Sequence, residues 1–146
     1  MKLYFFDVRT LKRKVISVKF SGMEQITNSE KFVERYYKLK SYNVERMNPT
    51  MHFCSVGGLC VKYYLEDNFV FNEKNSNGHW GNFCCFNGVP DFLVYKLKDE
   101  KVVDLFFVEV KSLNDGIRLG QLNWFNRTNA PGKIVFVDFE VEKNVF

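Results

Sequence analysis

GVPDFLVYKL (residues 88–97) and VVDLFFVEVKS (residues 102–112), joined by the polar turn KDEK, are the two stretches whose reading decides the fold. Each is apolar over strand length and the connection is short and charged, so together they predict an antiparallel hairpin centred near Glu100. In that register Asp91 and Glu109 lie equally far from the turn and directly opposite each other. Alternation puts Asp91 on one face with Leu93 and Tyr95, and Glu109 and Lys111 on one face with Leu105 and Phe107. Opposed residues have Cβ atoms about 4.5–5.5 Å apart, and like charges that close repel. An arbitrary Asp and Glu would ordinarily belong to a solvated sheet face, with Lys111 as an ion-pair partner. The flanks argue otherwise: LFFVEVK is apolar on both faces up to Val110, which predicts a central strand and a buried Glu109. A buried carboxylate must be matched by charge or metal, so the pattern asks for a cation.

Upstream of the hairpin, residues 2–8 and 14–20 read as two short strands around a basic turn at Lys12, Arg13 and Lys14. Thr27, Asn28, Ser29 and Glu30 then open a helix running to about Lys40, with Thr27 and Glu30 fitting a capping box. Phe32, Val33, Tyr36, Tyr37 and Leu39 form its apolar sector; Glu30 borders that sector, and Glu34 is rotated further toward solvent. Residues 48–87 read as an irregular insertion. It holds strand-like runs at 59–65 and 68–71 and a polar loop exposing Lys74, His79 and Trp80.

Downstream, Asn114, Asp115 and Gly116 make a turn with Asp115 as a helix cap. The segment IRLGQLNWFNR (117–127) follows as a helix with Ile117, Arg118, Gln121, Trp124 and Phe125 on one face. Gln121 sits mid-face, and a buried amide must find partners, for which the neighbouring strand is the nearest source. Gly120 inside this helix implies close backbone approach or a tolerated defect. Gly132 ends the next turn, and KIVFVDFEV (133–141) forms a last strand, parallel to the EVKS strand because a helix separates them. The expected architecture is α/β, a mixed central β-sheet flanked by helices, in one domain spanning residues 1–146.

Composition sets wider bounds. A hydrophobic fraction of 46% with 26% charged residues is that of an ordinary globular protein, and a net charge of +4 permits a polyanionic partner without requiring one. No apolar run approaches a membrane span and no signal peptide is evident, which places the chain in the cytoplasm, or in a host cell's interior for a viral or phage source. Cys54, Cys60, Cys84 and Cys85 are then reduced thiols. Together with His52 and His79 they lack the paired CxxC units of a zinc site.

GVPDFLVY (88–95), FVEVKS (107–112), NDGIR (114–118) and QLNWF (121–125) together resemble the VRR-NUC family of the PD-(D/E)XK nuclease superfamily, in the family's order and compact spacing. The resemblance covers about a third of the chain. It implies a restriction-endonuclease-like core and a metal-dependent phosphodiesterase in which Asp91, Glu109 and the backbone carbonyl of Val110 bind Mg²⁺ or Mn²⁺. Lys111 would orient or activate the attacking water, Gln121 would position Lys111 or that water, and Glu30 matches the acidic residue of the first helix as a further ligand. Ser112, Arg118, Arg127 and Lys133 are candidate DNA contacts. Residues 48–87 match nothing recognisable, and no DNA-targeting domain accompanies the core. A stand-alone core of this family is expected to act as a homodimer on branched DNA such as Holliday junctions. The competing expectations are a less selective nuclease and a nucleic-acid-binding or assembly protein whose chemistry is lost.

Overall fold

In chain order the elements are β1 (Lys2–Asp7), β2 (Arg13–Ser17), α1 (Ser29–Leu39), β3 (Asn43–Arg46), α2 (Gly58–Asn68), β4 (Phe92–Lys98), β5 (Lys101–Ser112), α3 (Leu119–Asn126) and β6 (Gly132–Asp138). They come from a computed structural model that describes residues 1–19, 26–47, 58–72, 80 and 88–139. The strands form one six-stranded sheet in the order β2-β1-β6-β5-β4-β3. β5 and β6 pair in parallel across the α3 crossover and the other neighbours are antiparallel, so the expected mixed α/β sheet is present.

The hairpin forms where the sequence places it, with a refinement. Asp99 and Glu100 both have positive φ, 51° and 62°, as a two-residue turn matched to strand twist requires. A regular hairpin around that turn would set Asp91 across from Val108. Instead Leu97 pairs with Val102 and Lys96 with Asp104, leaving Val103 as an extra bulged residue. Beyond the bulge Phe92 pairs with Val108, and one further step brings Asp91 opposite Glu109.

Alternation then divides the core. Leu93, Tyr95, Leu105 and Phe107 meet Val61 and Leu65 of α2 and Trp124 and Phe125 of α3. Phe92, Val94, Phe106, Val108 and Val110 meet Phe32, Val33, Tyr36 and Tyr37 of α1 on the opposite face. Leu39, expected in the α1 sector, is 45% exposed because it lies in the last turn, past the contact with the sheet. The helix also starts one residue later than expected: Asn28, not Thr27, is the cap, its Oδ1 accepting the Lys31 N–H at 3.0 Å. Glu30 therefore belongs to no capping box.

Four further corrections concern residues 48–87 and the segment after β5. The run 59–65 lies in helix α2 rather than in a strand, burying Val61 and Leu65 four apart on one face. Phe71 makes a single bridge to Thr128 and no strand. Trp80 is fully buried, stacked parallel to Phe107 at 5.9 Å, with its indole N–H donating to the Phe69 carbonyl. Within the described part of this stretch, Val61, Leu65, Phe71 and Trp80 are thus core residues. Lys74 and His79 lie outside the described residues, as do His52, Cys54, Cys84 and Cys85; Cys60 is a thiol at the edge of the core. After β5, Asp115 does not cap α3. Its carboxylate accepts the Ser112 N–H at 3.1 Å, closing the turn, and the helix opens at Leu119 with Arg118 as the cap residue.

No helix among the described residues is long and apolar enough to cross a membrane.

Gly120's expected close approach has a specific partner. Gly88 adopts φ +86°, and a Cβ there would sit 2.1 Å from the Gly120 carbonyl oxygen. Backbone rests on backbone, which fixes the lead into Asp91 against the start of α3. Gly88→Ala is expected to lose about 3 kcal/mol or more in urea unfolding, because left-handed strain and a backbone clash add. Gly116→Ala, with open space around its position, is expected to stay within about 0.5 kcal/mol. Equal stability of the two variants would refute the close-packing account.

Candidate active site

β4 begins at Phe92, opposite Val108, whereas β5 continues to Ser112 along β6. Val110 therefore lies beyond the last β4 partner, and its N–H donates to Asp91 Oδ2 at 2.7 Å. The Asp91 carbonyl in turn accepts the Met47 N–H at 2.9 Å, so this residue is held from both sides where the chain enters the sheet. Glu109, 4% exposed, points to the α3 face next to Asp91. Its Oε1 accepts the Gln121 amide N–H at 2.7 Å and lies 3.8 Å from Lys111 Nζ. Lys111 is itself only 7% exposed.

Gln121 fulfils the expectation that a mid-face amide must find a partner on the strand, and the partner is Glu109 rather than Lys111. Its Oε1 accepts the Arg118 N–H at 3.0 Å, which fixes the amide's orientation. One side chain thereby ties the opening of α3 to the buried carboxylate of β5.

Burial pushes Glu109 far above the usual carboxylate range, to about 9; the Asp91 charge and a hydrogen bond with Asp91 add to the shift, and Lys111 opposes it. Asp91 is also raised, first by burial and then by the charge and hydrogen bonding of Glu30, against the lowering effect of the Val110 N–H. The two carboxyls share protons as a coupled pair, with Glu109 the proton-holding member.

Glu30 comes from α1, which packs on the other face of the sheet, and reaches Asp91 at the sheet's end. Its carboxylate is paired with Arg46 Nη1 at 3.0 Å. Arg46 Nη2 also approaches Glu34 at 3.5 Å, and Lys38 lies 2.9 Å from Glu34. Glu34 is consequently the more covered of the two acids, at 23% side-chain exposure against 42% for Glu30, the reverse of the expectation from the helical wheel. Arg46 is the residue that sequence reading missed. It sits on β3 across from Phe92, over whose ring its guanidinium stacks at 5.4 Å. Its short polar strand, NVER, carries no apolar pattern to announce it.

The candidate DNA contacts do not form one group. Ser112 and exposed Arg118 flank the carboxylates, but Arg127 caps the far end of α3, nine residues or about 13 Å from Arg118 along the helix. Lys133 pairs with Val108 and sends its side chain through the opposite face, to within 4.2 Å of the Phe106 ring centroid. Among the described residues no group of three or more His, Cys, Asp or Glu side chains is gathered as a ready ion site; Glu30 reaches Asp91 while its carboxylate is paired with Arg46. No family model matches the chain, and no curated protein or solved structure matches it.

The raised Glu109 pKa has a definite sign in stability. The folded state keeps a proton that the unfolded chain releases near the ordinary value of 4.5, so metal-free stability is greatest below that pH and falls as pH rises toward about 9. Glu109→Gln is expected to flatten that decline and to unfold at higher denaturant than the wild type at pH 8, with little difference at pH 5. Parallel stability–pH curves for the two proteins would show that Glu109 is not the proton holder.

Proposed function

We propose that this chain is a divalent-metal-dependent DNA endonuclease of the VRR-NUC type within the PD-(D/E)XK superfamily, with a restriction-endonuclease-like core. The observation that carries the reading is the pairing of Asp91 with Glu109 at the free end of β5, with Lys111 beside them and Gln121 on Glu109. Two buried carboxyls, both pushed up by burial and Glu109 further by the Asp91 charge, against one ammonium at 3.8 Å, are a site short of positive charge. The donors are hard oxygens, which fit Mg²⁺ or Mn²⁺. Asp91, Glu109 and the Val110 carbonyl would hold the ion, with waters completing its shell. Glu30, committed to Arg46, acts on the site through Asp91.

A bound divalent ion supplies a coordinated water of lowered pKa and neutralises charge gained at the phosphate. The chain's own groups do the rest. The Val110 N–H fixes one oxygen of Asp91, and Gln121 fixes one oxygen of Glu109, leaving each carboxylate an oxygen for the ion. Lys111, almost wholly buried, presents its ammonium to the phosphate and the attacking water. Arg118 and Ser112 flank the cleft for further phosphate contacts. The preferred substrate is branched DNA, cut by a homodimer whose symmetry matches that of a four-way junction.

The test is a cleavage panel of linear duplex, flap, splayed and four-way DNA with Mg²⁺ or Mn²⁺. Asp91→Ala and Lys111→Ala are expected to lose about 100-fold or more in rate while remaining folded. Gln121→Ala is expected to lose about 10- to 100-fold, as for other residues that orient a ligand. Unchanged cleavage in Asp91→Ala and Lys111→Ala would sink the site assignment. Equal cutting of linear and four-way DNA would favour the less selective nuclease. Absence of Mn²⁺ binding by calorimetry, together with tight binding of branched DNA, would favour a protein that binds without cutting.

A further inference from the structure

The second feature of the molecule that asks for a ligand lies on the α1 face of the sheet, away from the carboxylates. A cavity of about 520 Å³ opens between the β1–β2 hairpin and α1. Its lining carries Lys12, Arg13, Lys14, Lys40 and Lys133 against the single carboxylate of Asp7. That local excess of four positive charges equals the formal net charge of the entire chain, +4, so the remainder of the protein is balanced and the imbalance is concentrated here.

The nearby acids are already engaged. Asp7 accepts the backbone N–H groups of Arg9 and Thr10 at 2.8 and 3.0 Å, and Asp104 accepts the Tyr42 hydroxyl at 2.7 Å. Lys133 and Lys40 rest over the rings of Phe106 and Tyr36, at 4.2 and 4.8 Å from the centroids. Burial pushes the Lys133 ammonium below its ordinary pKa, a cost that a bound anion would offset.

A further observation points the same way. The Tyr37 side chain belongs to this lining; its hydroxyl is covered by neighbouring side chains, which must give way for a ligand to reach it, and is the only side-chain N or O atom among the described residues that is buried with no hydrogen-bond partner. Leaving such a group unsatisfied costs about 1–3 kcal/mol unless something else fills its need. The cavity has the volume of a small-molecule site, within the usual range of about 300–1,000 Å³, and combines aromatic walls with a cationic rim.

We propose that this pocket binds a nucleoside monophosphate, with the phosphate on the Lys12–Lys14 and Lys40 rim, the base against the aromatic wall and a polar atom on the Tyr37 hydroxyl. The pocket is independent of the carboxylate site and of the function assigned to it.

AMP titrated into the metal-free 146-residue chain by calorimetry is expected to bind saturably at about millimolar affinity or tighter. Inorganic phosphate and adenosine are expected to bind at least about ten-fold more weakly, since each supplies half of the contacts. The exposed substitutions Lys14→Glu and Lys40→Ala are expected to weaken AMP by about ten-fold each, a typical loss for one charged contact. Tyr37→Phe is expected to weaken it about five-fold without lowering the melting temperature, an outcome that a purely structural hydroxyl would not give. Asp91→Ala should leave AMP affinity unchanged, which separates this pocket from the carboxylate site. Failure of AMP to saturate, AMP affinity unaltered in Lys14→Glu and Lys40→Ala, or phosphate binding as tightly as AMP would each overturn the proposal. Duplex DNA binding that both lysine variants abolish, with no AMP binding, would also overturn it in favour of a polymer-binding surface.

Discussion

β5 outruns β4, and the rest of the site follows from that mismatch. A strand that continues past its neighbour leaves peptide groups facing a gap, and such groups must be satisfied when they are not in water. At Val110 the missing strand is replaced by a side chain, the carboxylate of Asp91. Meeting that backbone requirement brings one acid beside another, because Glu109 is the adjacent residue on β5 and its side chain leaves on the α3 face. The Gly88–Gly120 backbone contact then fixes the approach to Asp91 and the start of α3 together. Gln121, the next residue of that helix, lands on Glu109.

Much of this was legible in the sequence because it rests on short-range rules. Period-two alternation set the faces of β4 and β5, and a lone amide on an apolar helix face announced a buried hydrogen bond at Gln121. The opposition of Asp91 and Glu109 was read correctly from a turn centred on Glu100. The turn centre actually lies between Asp99 and Glu100, and the bulge at Val103 supplies the half-step that makes the register agree. Less was legible where long-range packing decides. KYYL suits either helix or strand, and only the seats of Val61 and Leu65 against the sheet select the helix. β3 is short and polar and is specified by its pairing with β4 rather than by its own pattern. Arg46 travelled unseen with it, and so did the reason that Glu30 is held by an arginine.

Glu30 and Glu109 approach Asp91 from opposite sides of the sheet. α1 packs on the face carrying Phe92 and Val108, and α3 packs on the face carrying Leu93 and Phe107. The acids can meet only at the sheet's end, where the layer between them stops. Their separation by origin is reflected in their partners: Arg46 neutralises Glu30 in a half-exposed setting, whereas Glu109 has an amide and a more distant ammonium in a buried one. Screening by water makes the first pair a minor contributor to stability. Burial makes the second arrangement strongly dependent on what charge is present.

Strand alternation also explains why the protein's excess of cations does not relieve its buried acids. Lys133 is the Cα partner of Val108, one residue from Glu109, yet β geometry sends its side chain to the opposite face, where it lies over Phe106. Ile134, the residue actually paired with Glu109, is buried and apolar. A one-residue shift of β6 would bring a lysine beside Glu109, but it would also turn every core-facing side chain of that strand outward. The hydrophobic register therefore holds the opposite charges apart. It leaves two carboxyls and a shared proton confined at the end of β5, while the lysines and the arginine of the cavity lie behind the sheet.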